Sequence, residues 1–406
     1  MVRPAARRCL SVYDKAEANP LAKRMAEKTI RSPIDDRVVG RVPAMSRAQV
    51  DRAMKAARKA QPVWAARSVA ERRRILKAAA RELRKDASPL ADILTREVGK
   101  VSKESRDEIL RTADLIDATA AETKPFEAET NRSQDFPKGK PGRVQTVRRR
   151  PVDMIAMTGS TTVGKRIARK AGMLPLLLEL GGNDPAIVLA DADLGRAAKT
   201  IVSGAFRYNG QRCTAIKRVY VVRSVADRLV EAIVAERDAT FPTAGDPRKV
   251  SVGPVISDQQ ARYLKSVLQD AVRNGGDVVA GGSIEGRYVE PTIIDRVPHR
   301  ARIVCEEQFG PILPIIRVKD AAEAVRLAND TEYGLQAAVF TKSLKQAETI
   351  AEALDVGGVH LNGPDQRGPD NFLFTGWKDS GLGDQGIRYA LEAMSRRKGA
   401  VRNRTR

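Results

Sequence analysis

One cysteine and one carboxylate in this chain stand where they could do covalent chemistry. Cys213 follows an Asn-Gly turn in the segment Asn209-Gly210-Gln211-Arg212-Cys213-Thr214-Ala215. Cysteine is the strongest ordinary nucleophile near neutral pH once something makes or keeps it thiolate. Arg212 beside it would favour the anion. Glu179, which ends an apolar run just before Gly181-Gly182-Asn183-Asp184, could act as base directly or through a water. The competing reading is a buried structural cysteine and an unrelated surface glutamate, and the residue types alone leave both open.

The elements that must hold such a pair can be read from capping signals and apolar period. Ser46 with Gln49, and Ser68 with Glu71, match the capping box, so each opens a helix. Ser88-Pro89 opens a third that Gly99 closes, and residues 103–122 continue the helical pattern. Thr130–Arg150 turns to Asn, Pro, Gly, Lys and Arg and reads as a loop leading into a short strand, Val144–Val147. From about Met154 onward, β-branched runs (Ala186–Leu189, Val219–Val222, Ile312–Val318, Ala337–Phe340, Gly358–Leu361) read as strands. Helices starting near Asp193, Ser224, Ser257 and Asp320 lie between several of them. That alternation predicts an α/β domain with a largely parallel sheet.

Bulk properties narrow the function. The 406 residues suffice for two or three domains, and the proportions of apolar (42%) and charged (30%) residues are those of a globular chain. No apolar run approaches the ~20 residues of a membrane span, and the Arg-rich start, Met1–Cys9, has no apolar core, so neither a membrane nor a secretory signal is expected. Three cysteines far apart (Cys9, Cys213, Cys305) form no disulfide framework and no zinc spacing, which suits a reducing, cytoplasmic setting. The formal charge of +22 raises nucleic-acid binding. The arginines are spread without interleaved aromatics, however, and a basic enzyme handling phosphorylated molecules explains the sign equally well. No nucleic-acid partner is expected.

Two phosphate-loop patterns lack a required part. Gly159-Ser-Thr-Thr-Val-Gly164-Lys165 has P-loop spacing, but Arg166 stands where a magnesium-binding Ser or Thr is needed. Gly381-Leu-Gly383-Asp-Gln-Gly386 matches G-x-G-x-x-G with no strand expected before it and no βαβ unit around it.

Four segments in order carry a resemblance. Leu178-Glu179-Leu180-Gly181-Gly182-Asn183-Asp184 and Gly210-Gln211-Arg212-Cys213-Thr214-Ala215 look like the paired active-site signature of the aldehyde dehydrogenase superfamily. Glu306-Glu307-Gln308-Phe309-Gly310-Pro311 and Gly376-Trp377-Lys378-Asp379-Ser380-Gly381 resemble its later motifs. The resemblance implies that Cys213 attacks an aldehyde carbonyl and that Glu179 activates the water that later hydrolyses the thioester. It implies that Glu307 holds the nicotinamide ribose and Phe309 packs against the nicotinamide. Gly159 and Ser160 would line the cofactor site at a helix start, where free N–H groups favour phosphate; as residues alone they read equally as a helix cap. Longer matches, Cys213–Val219, Gln366–Phe372 and Leu110–Ala113, are similar to the NADP-dependent, non-phosphorylating glyceraldehyde-3-phosphate dehydrogenase type. In that type the positions matching Arg111, Arg212 and Arg367 lie at the substrate site, joined here by Thr214. Guanidinium groups suit a phosphate dianion.

The resemblance has one break. Arg148–Val152 resembles the strand before the cofactor domain's dinucleotide fold, whereas Asp153–Gly159 resembles a strand well beyond it. The stretch expected between them is ~70 residues, about two βαβ units. With it would go an asparagine of the oxyanion hole, a Lys-Pro that binds the adenosine ribose and a glycine turn at the pyrophosphate. Loss of one oxyanion donor costs roughly 100- to 1,000-fold in rate.

The expected fold is therefore α/β and aldehyde dehydrogenase-like. Residues 1–136 and 151–179 would form N-terminal helices and a truncated Rossmann-type cofactor domain, and 180–377 a catalytic domain. Residues 137–150 and 378–406 would form a small β oligomerisation element and tail, implying a homodimer or homotetramer. The expected function is oxidation of glyceraldehyde 3-phosphate with NADP, NAD being open because the segment that reads the adenosine 2′ position is missing. The alternative is a redox-inactive remnant, an oligomeric binding protein or weak thiol esterase. Lost strands should also leave apolar faces uncovered and lower stability.

Overall fold

After an antiparallel pair of strands, Glu27–Arg31 and Val38–Pro43, four helices follow, the first two with strongly signalled starts. In Arg47–Ala66 and Val69–Lys85 the Ser46 and Ser68 side chains accept from the N–H of Gln49 and Glu71, whose side chains bond back to the serine N–H. Ala87–Val98 starts one residue before Ser88, after Asp86, and ends at Gly99 with φ 74°, a conformation that suits glycine. Ser102–Glu122 follows. The structure is a computed structural model and describes residues 27–122, 130–131, 142–143, 153–241, 251–364 and 368–395. The expected strand Val144–Val147 lies outside the described residues; before it, Thr130–Asn131 pairs antiparallel with Gly142–Arg143.

The second half forms a seven-stranded sheet. Its order is Gly358–Leu361, Gln336–Phe340, Asp184–Val188, Ile216–Val222, Ile312–Val318, Thr292–Asp295 and Asp277–Ala280. All neighbours are parallel except the last pair. Alternation along each strand feeds two cores. Ile187, Tyr220, Ile316, Ala337 and Val339 face one side, with helices Asp258–Arg273, Ala321–Asn329 and Leu344–Ala353. Ala186, Val188, Val219, Val221, Leu313 and Phe340 face the other, with Leu194–Phe206 and Arg223–Thr240. Burial on both faces explains why these strands read as unbroken apolar runs. The strands at Thr292–Asp295 and Asp277–Ala280, four residues each and the second set between glycine pairs, carry no comparable signal.

A second, three-stranded sheet stands before the large one. Ile155–Thr158 runs parallel to Leu176–Glu179, which pairs antiparallel with Gly381–Leu382. Contrary to the expectation, a two-residue strand, Trp377–Lys378, does stand before Gly381–Gly386, but it and Gly381–Leu382 pair only antiparallel and form no βαβ unit. Lys165 of the P-loop-like stretch is ion-paired to Asp379 and to Glu332 at 3.5 Å.

Ile155–Thr158 is the outer strand of this sheet, and the helix Arg47–Ala66 nearby buries none of its residues. Arg58 Nη2 bonds Asp153 Oδ2 at 3.4 Å, yet Val50, Met54 and Trp64, three to four residues apart or multiples of it, are 45%, 39% and 40% exposed. An apolar helical stripe of this kind ordinarily packs against a neighbour. Native protein should thus enhance the fluorescence of the apolar dye ANS, and the Val50→Ser, Met54→Ser variant should lose much of that signal. Silence of the dye with folded wild-type protein would mean that the stripe is covered.

Candidate active site

The two sheets meet at a turn with no room for side chains. After Glu179 the chain passes through Gly181 and Gly182 and enters the large sheet at Asp184. A Cβ at Gly181 would stand 2.4 Å from Glu307 Oε2, and one at Gly182 would stand 2.8 Å from the Cys213 carbonyl oxygen. Glycine is required here by close approach rather than by conformation. The small sheet holds the turn from below: Gly159 N–H donates to Glu179 O at 3.0 Å and Leu180 N–H to Ser380 O at 2.9 Å.

Cys213 arrives from the opposite side, on the loop between the helix Leu194–Phe206 and the strand Ile216–Val222. Three consecutive residues, Tyr208, Asn209 and Gly210, have φ near +60°. Such a run is strained for side-chain-bearing residues and persists only where neighbours over-determine it. The buried Asn209 side chain does this, donating to Pro254 O and accepting from Gly253 N–H, each at 2.9 Å. Glu104 accepts from Tyr208 N–H at 3.0 and 3.1 Å, and Gln211 accepts from Ile256 N–H at 2.9 Å.

The result brings Cys213 and Glu179 together. The Glu179 carboxylate stands beside the Cys213 thiol, close enough to act on its protonation. Burial first, and then the Glu179 charge, push the thiol above its ordinary range, with Lys217 opposing. The Cys213 side chain is thereby kept as a thiol, with the Glu179 carboxylate beside it. This corrects one sequence-based expectation. Arg212 is turned away from stabilising the anion: its Nη2 donates to Gly204 O at 2.9 Å and Thr214 O at 3.3 Å, and its guanidinium lies 5.9 Å from the Tyr208 ring centre. Its buried Nε makes no hydrogen bond among the described residues. Thr214 is buried, directly after the nucleophile.

The remaining expected residues fall around this pair. Glu307 Oε1 accepts from Gly182 N–H at 3.0 Å and lies 3.5 Å from Lys217 Nζ. Phe309 has φ 46° and a partly exposed side chain. Gly159 and Ser160 are exposed at the start of helix Thr161–Ala171, and the Ser160 side chain makes no cap bond, so hydroxyl and helix N-terminus both face outward. Arg111 is exposed on Ser102–Glu122, two turns from Glu104 on the same face, and donates to Asp370 Oδ1 at 2.8 Å. That contact joins the helix to the segment following Arg367, which lies outside the described residues. These groups suit the nicotinamide and phosphate end of a dinucleotide: an exposed aromatic ring, a carboxylate and a helix N-terminus. For the adenosine end, no strand of this sheet lies beyond Ile155–Thr158 among the described residues.

Lys217 and Gln308 were not singled out by sequence reasoning. Gln308 is buried and donates to Lys217 O and Ile312 O at 2.9 and 3.0 Å, tying the Glu307 segment to the strand. The available signal was the pair Lys217-Arg218 inside the apolar run 216–222, since buried cations need unusual partners.

Comparison with known proteins agrees with this geometry. Residues 22–152 and 145–399 match the model of the aldehyde dehydrogenase family. The two matched stretches overlap only at 145–152, beside the break read between Val152 and Asp153. The NADP-dependent glyceraldehyde-3-phosphate dehydrogenase of Streptococcus equinus is 36% identical over 455 residues, covering 92% of this chain and 95% of that protein. A match longer than this 406-residue chain steps across positions the chain lacks. The crystal structure of NADP-dependent glyceraldehyde-3-phosphate dehydrogenase from Bacillus halodurans C-125 complexed with NADP has a TM-score of 0.90 at 36% identity, covering 93% of this chain and 96% of that one. Glyceraldehyde-3-phosphate dehydrogenase GapN from Methanocaldococcus jannaschii DSM 2661, complexed with NADP, has 0.88 at 28% identity, covering 94% and 100%.

Gly210 offers the sharpest test of the loop. It has φ 64°, and a Cβ there would stand 2.4 Å from Gly310 O. Gly210→Ala should cost at least about 2 kcal/mol in urea unfolding, from left-handed strain plus the clash, and should slow alkylation of Cys213. An unchanged unfolding midpoint would show that the loop is not so constrained.

Proposed function

Because the chain belongs to the aldehyde dehydrogenase family, we propose that it oxidises glyceraldehyde 3-phosphate to 3-phosphoglycerate with NADP as electron acceptor. The observation that carries this reading is the half-buried Cys213 thiol with the Glu179 carboxylate beside it. Glu179 takes the thiol proton as the sulfur bonds to the aldehyde carbon, and the carbonyl electron pair moves onto oxygen. The Cys213 N–H, which donates to no group among the described residues, is placed to receive that oxygen. A bound nicotinamide supplies the hydride acceptor that turns the thiohemiacetal into a thioester. Glu179 gives up the thiol proton to solvent and, ionised again, takes a proton from water, whose oxygen adds to the thioester carbon. Collapse of that adduct expels the Cys213 thiolate and releases the acid.

Around this chemistry, Gly159, Ser160, Glu307 and Phe309 would hold the cofactor's nicotinamide and phosphate end. Arg111, Arg212, Thr214 and Arg367 would bind the substrate, the arginines taking its phosphate through charge-assisted hydrogen bonds. The NADP assignment draws support from the relatives crystallised with NADP; NAD is the second candidate. A homo-oligomer and a cytoplasmic setting belong to the same reading. The three-stranded small sheet favours one alternative, a redox-silent relative retaining binding or slow thiol esterase chemistry at Cys213.

Purified protein mixed with NADP and glyceraldehyde 3-phosphate should generate reduced cofactor, seen by absorbance. Cys213→Ala should abolish the signal. Glu179→Gln should cut steady turnover by 100-fold or more, a general base contributing about 10²- to 10⁴-fold. The wild-type rate should climb with pH through the alkaline range, because the raised thiol gains anion only there. Folded wild-type protein that binds neither NADP nor NAD in calorimetry would favour the redox-silent alternative.

A further inference from the structure

We propose that Lys217 is the positioning residue of the nucleophile: its buried ammonium grips the carbonyls on both sides of Cys213 and aims the Cys213 N–H into the site. The inference rests on the reading of Cys213 as nucleophile. Lys217 is the second residue of the strand Ile216–Val222, and its side chain is 2% exposed. The side chain folds back over the preceding loop. Nζ donates to Arg212 O at 2.9 Å and Cys213 O at 2.6 Å, with Ala215 O at 3.5 Å and Glu307 Oε1 also at 3.5 Å.

A buried ammonium is tolerated only with its donors filled and its charge answered. Backbone carbonyls of the nucleophile's own loop fill most of the shell here. Arg212 Nη2 holds the remaining carbonyl in the series, Thr214 O at 3.3 Å. Four successive carbonyls, from 212 to 215, thus accept from a cation.

The consequence follows from peptide geometry. In a trans peptide the C=O and N–H point in opposite directions. Holding the Arg212 carbonyl against Lys217 directs the Cys213 N–H away from the ammonium, where no other group among the described residues takes it. That N–H is then available to the oxyanion formed when sulfur adds to a carbonyl. A positive charge beside the loop also offsets the negative charges that face the thiol, Glu179 from the small sheet and Asp184 from the large one. Without Lys217 both effects disappear together: the peptide is released and the thiolate faces carboxylates alone. The link extends to Glu307, which shares the ammonium and accepts from Gly182 N–H, so the nucleophile loop and the third motif are set by one side chain.

The test compares alkylation of Cys213 by iodoacetamide across pH, read by mass spectrometry of the Cys213 peptide, in the full-length wild type and in Lys217→Met. Methionine keeps nearly the length and removes the charge and donors. We expect alkylation at about pH 8 to slow by roughly tenfold or more, with the profile displaced upward by about one pH unit, one unit being a factor of ten in thiolate. Turnover with aldehyde and NADP should fall in kcat with little change in KM. Near-UV circular dichroism checks the fold. Should Lys217→Met not fold, Lys217→Gln, which keeps two donors without charge, is read in its place, with the same displacement expected. A folded variant with the wild-type pH profile overturns the role of Lys217. A wild-type Cys213 that no pH makes reactive overturns the nucleophile reading, and this inference with it. Alkylation needs no cofactor, so the role of Lys217 can be decided even in a chain that oxidises no aldehyde.

Discussion

Close packing at Gly181-Gly182 is the constraint on which the site depends. The chain leaves one sheet and enters another within a few residues, and the space is taken by Glu307, Thr161 and the Cys213 carbonyl. A side chain at either glycine would push apart Glu179, Cys213 and Glu307, which come from elements more than thirty residues apart in sequence. With two glycines, Glu179 can end one strand and still meet Cys213, which belongs to the mouth of the next sheet. The geometry follows from sterics first and electrostatics second.

Positive charge inside the protein organises the loop that carries Cys213. Lys217 and Arg218 are adjacent on one strand, and alternation sends them to opposite faces. Lys217 takes the carbonyls around Cys213. Arg218 takes Asn183 O at 2.8 Å, Ala328 O at 3.2 Å and the Tyr220 hydroxyl at 3.1 Å. Both convert backbone acceptors, which would otherwise be buried and unsatisfied, into ligands of a cation. Lys217 also has the Glu307 carboxylate at 3.5 Å. The chain's overall excess of basic residues says little about function; these two, fully buried, say more.

The two halves of the site are unequally supported. The large sheet is covered on both faces and contributes Cys213, and strands and loops around it are braced from several directions. The small sheet contributes Glu179 and the start of the cofactor-facing helix from three short strands, with Ile155–Thr158 at its rim. A parallel sheet normally gains stability from helices on both sides, and here a long helix nearby leaves its apolar stripe exposed. Cys213 is thus held by the better-built half, while Glu179 and the helix start at Ser160 rest on the thinner frame.

Much was legible from residues alone. Capping boxes at Ser46 and Ser68, the αL glycine at 99 and the strands at 312–318 and 358–361 follow from local donors, period and conformational preference. The four ordered motifs containing Glu179, Cys213, Glu307 and Trp377 pointed to the family by resemblance, whereas the residue types alone left the pairing of Glu179 with Cys213 open. Tertiary structure decided what those residues experience. Arg212 is next to Cys213 in sequence, but its guanidinium is spent on carbonyls; Lys217, four residues on, brings the charge instead. Adjacency along a chain does not fix where a long side chain points; packing does. The same holds for the thiol, whose protonation is set by burial and by a carboxylate arriving from another sheet, neither of which any stretch of sequence contains.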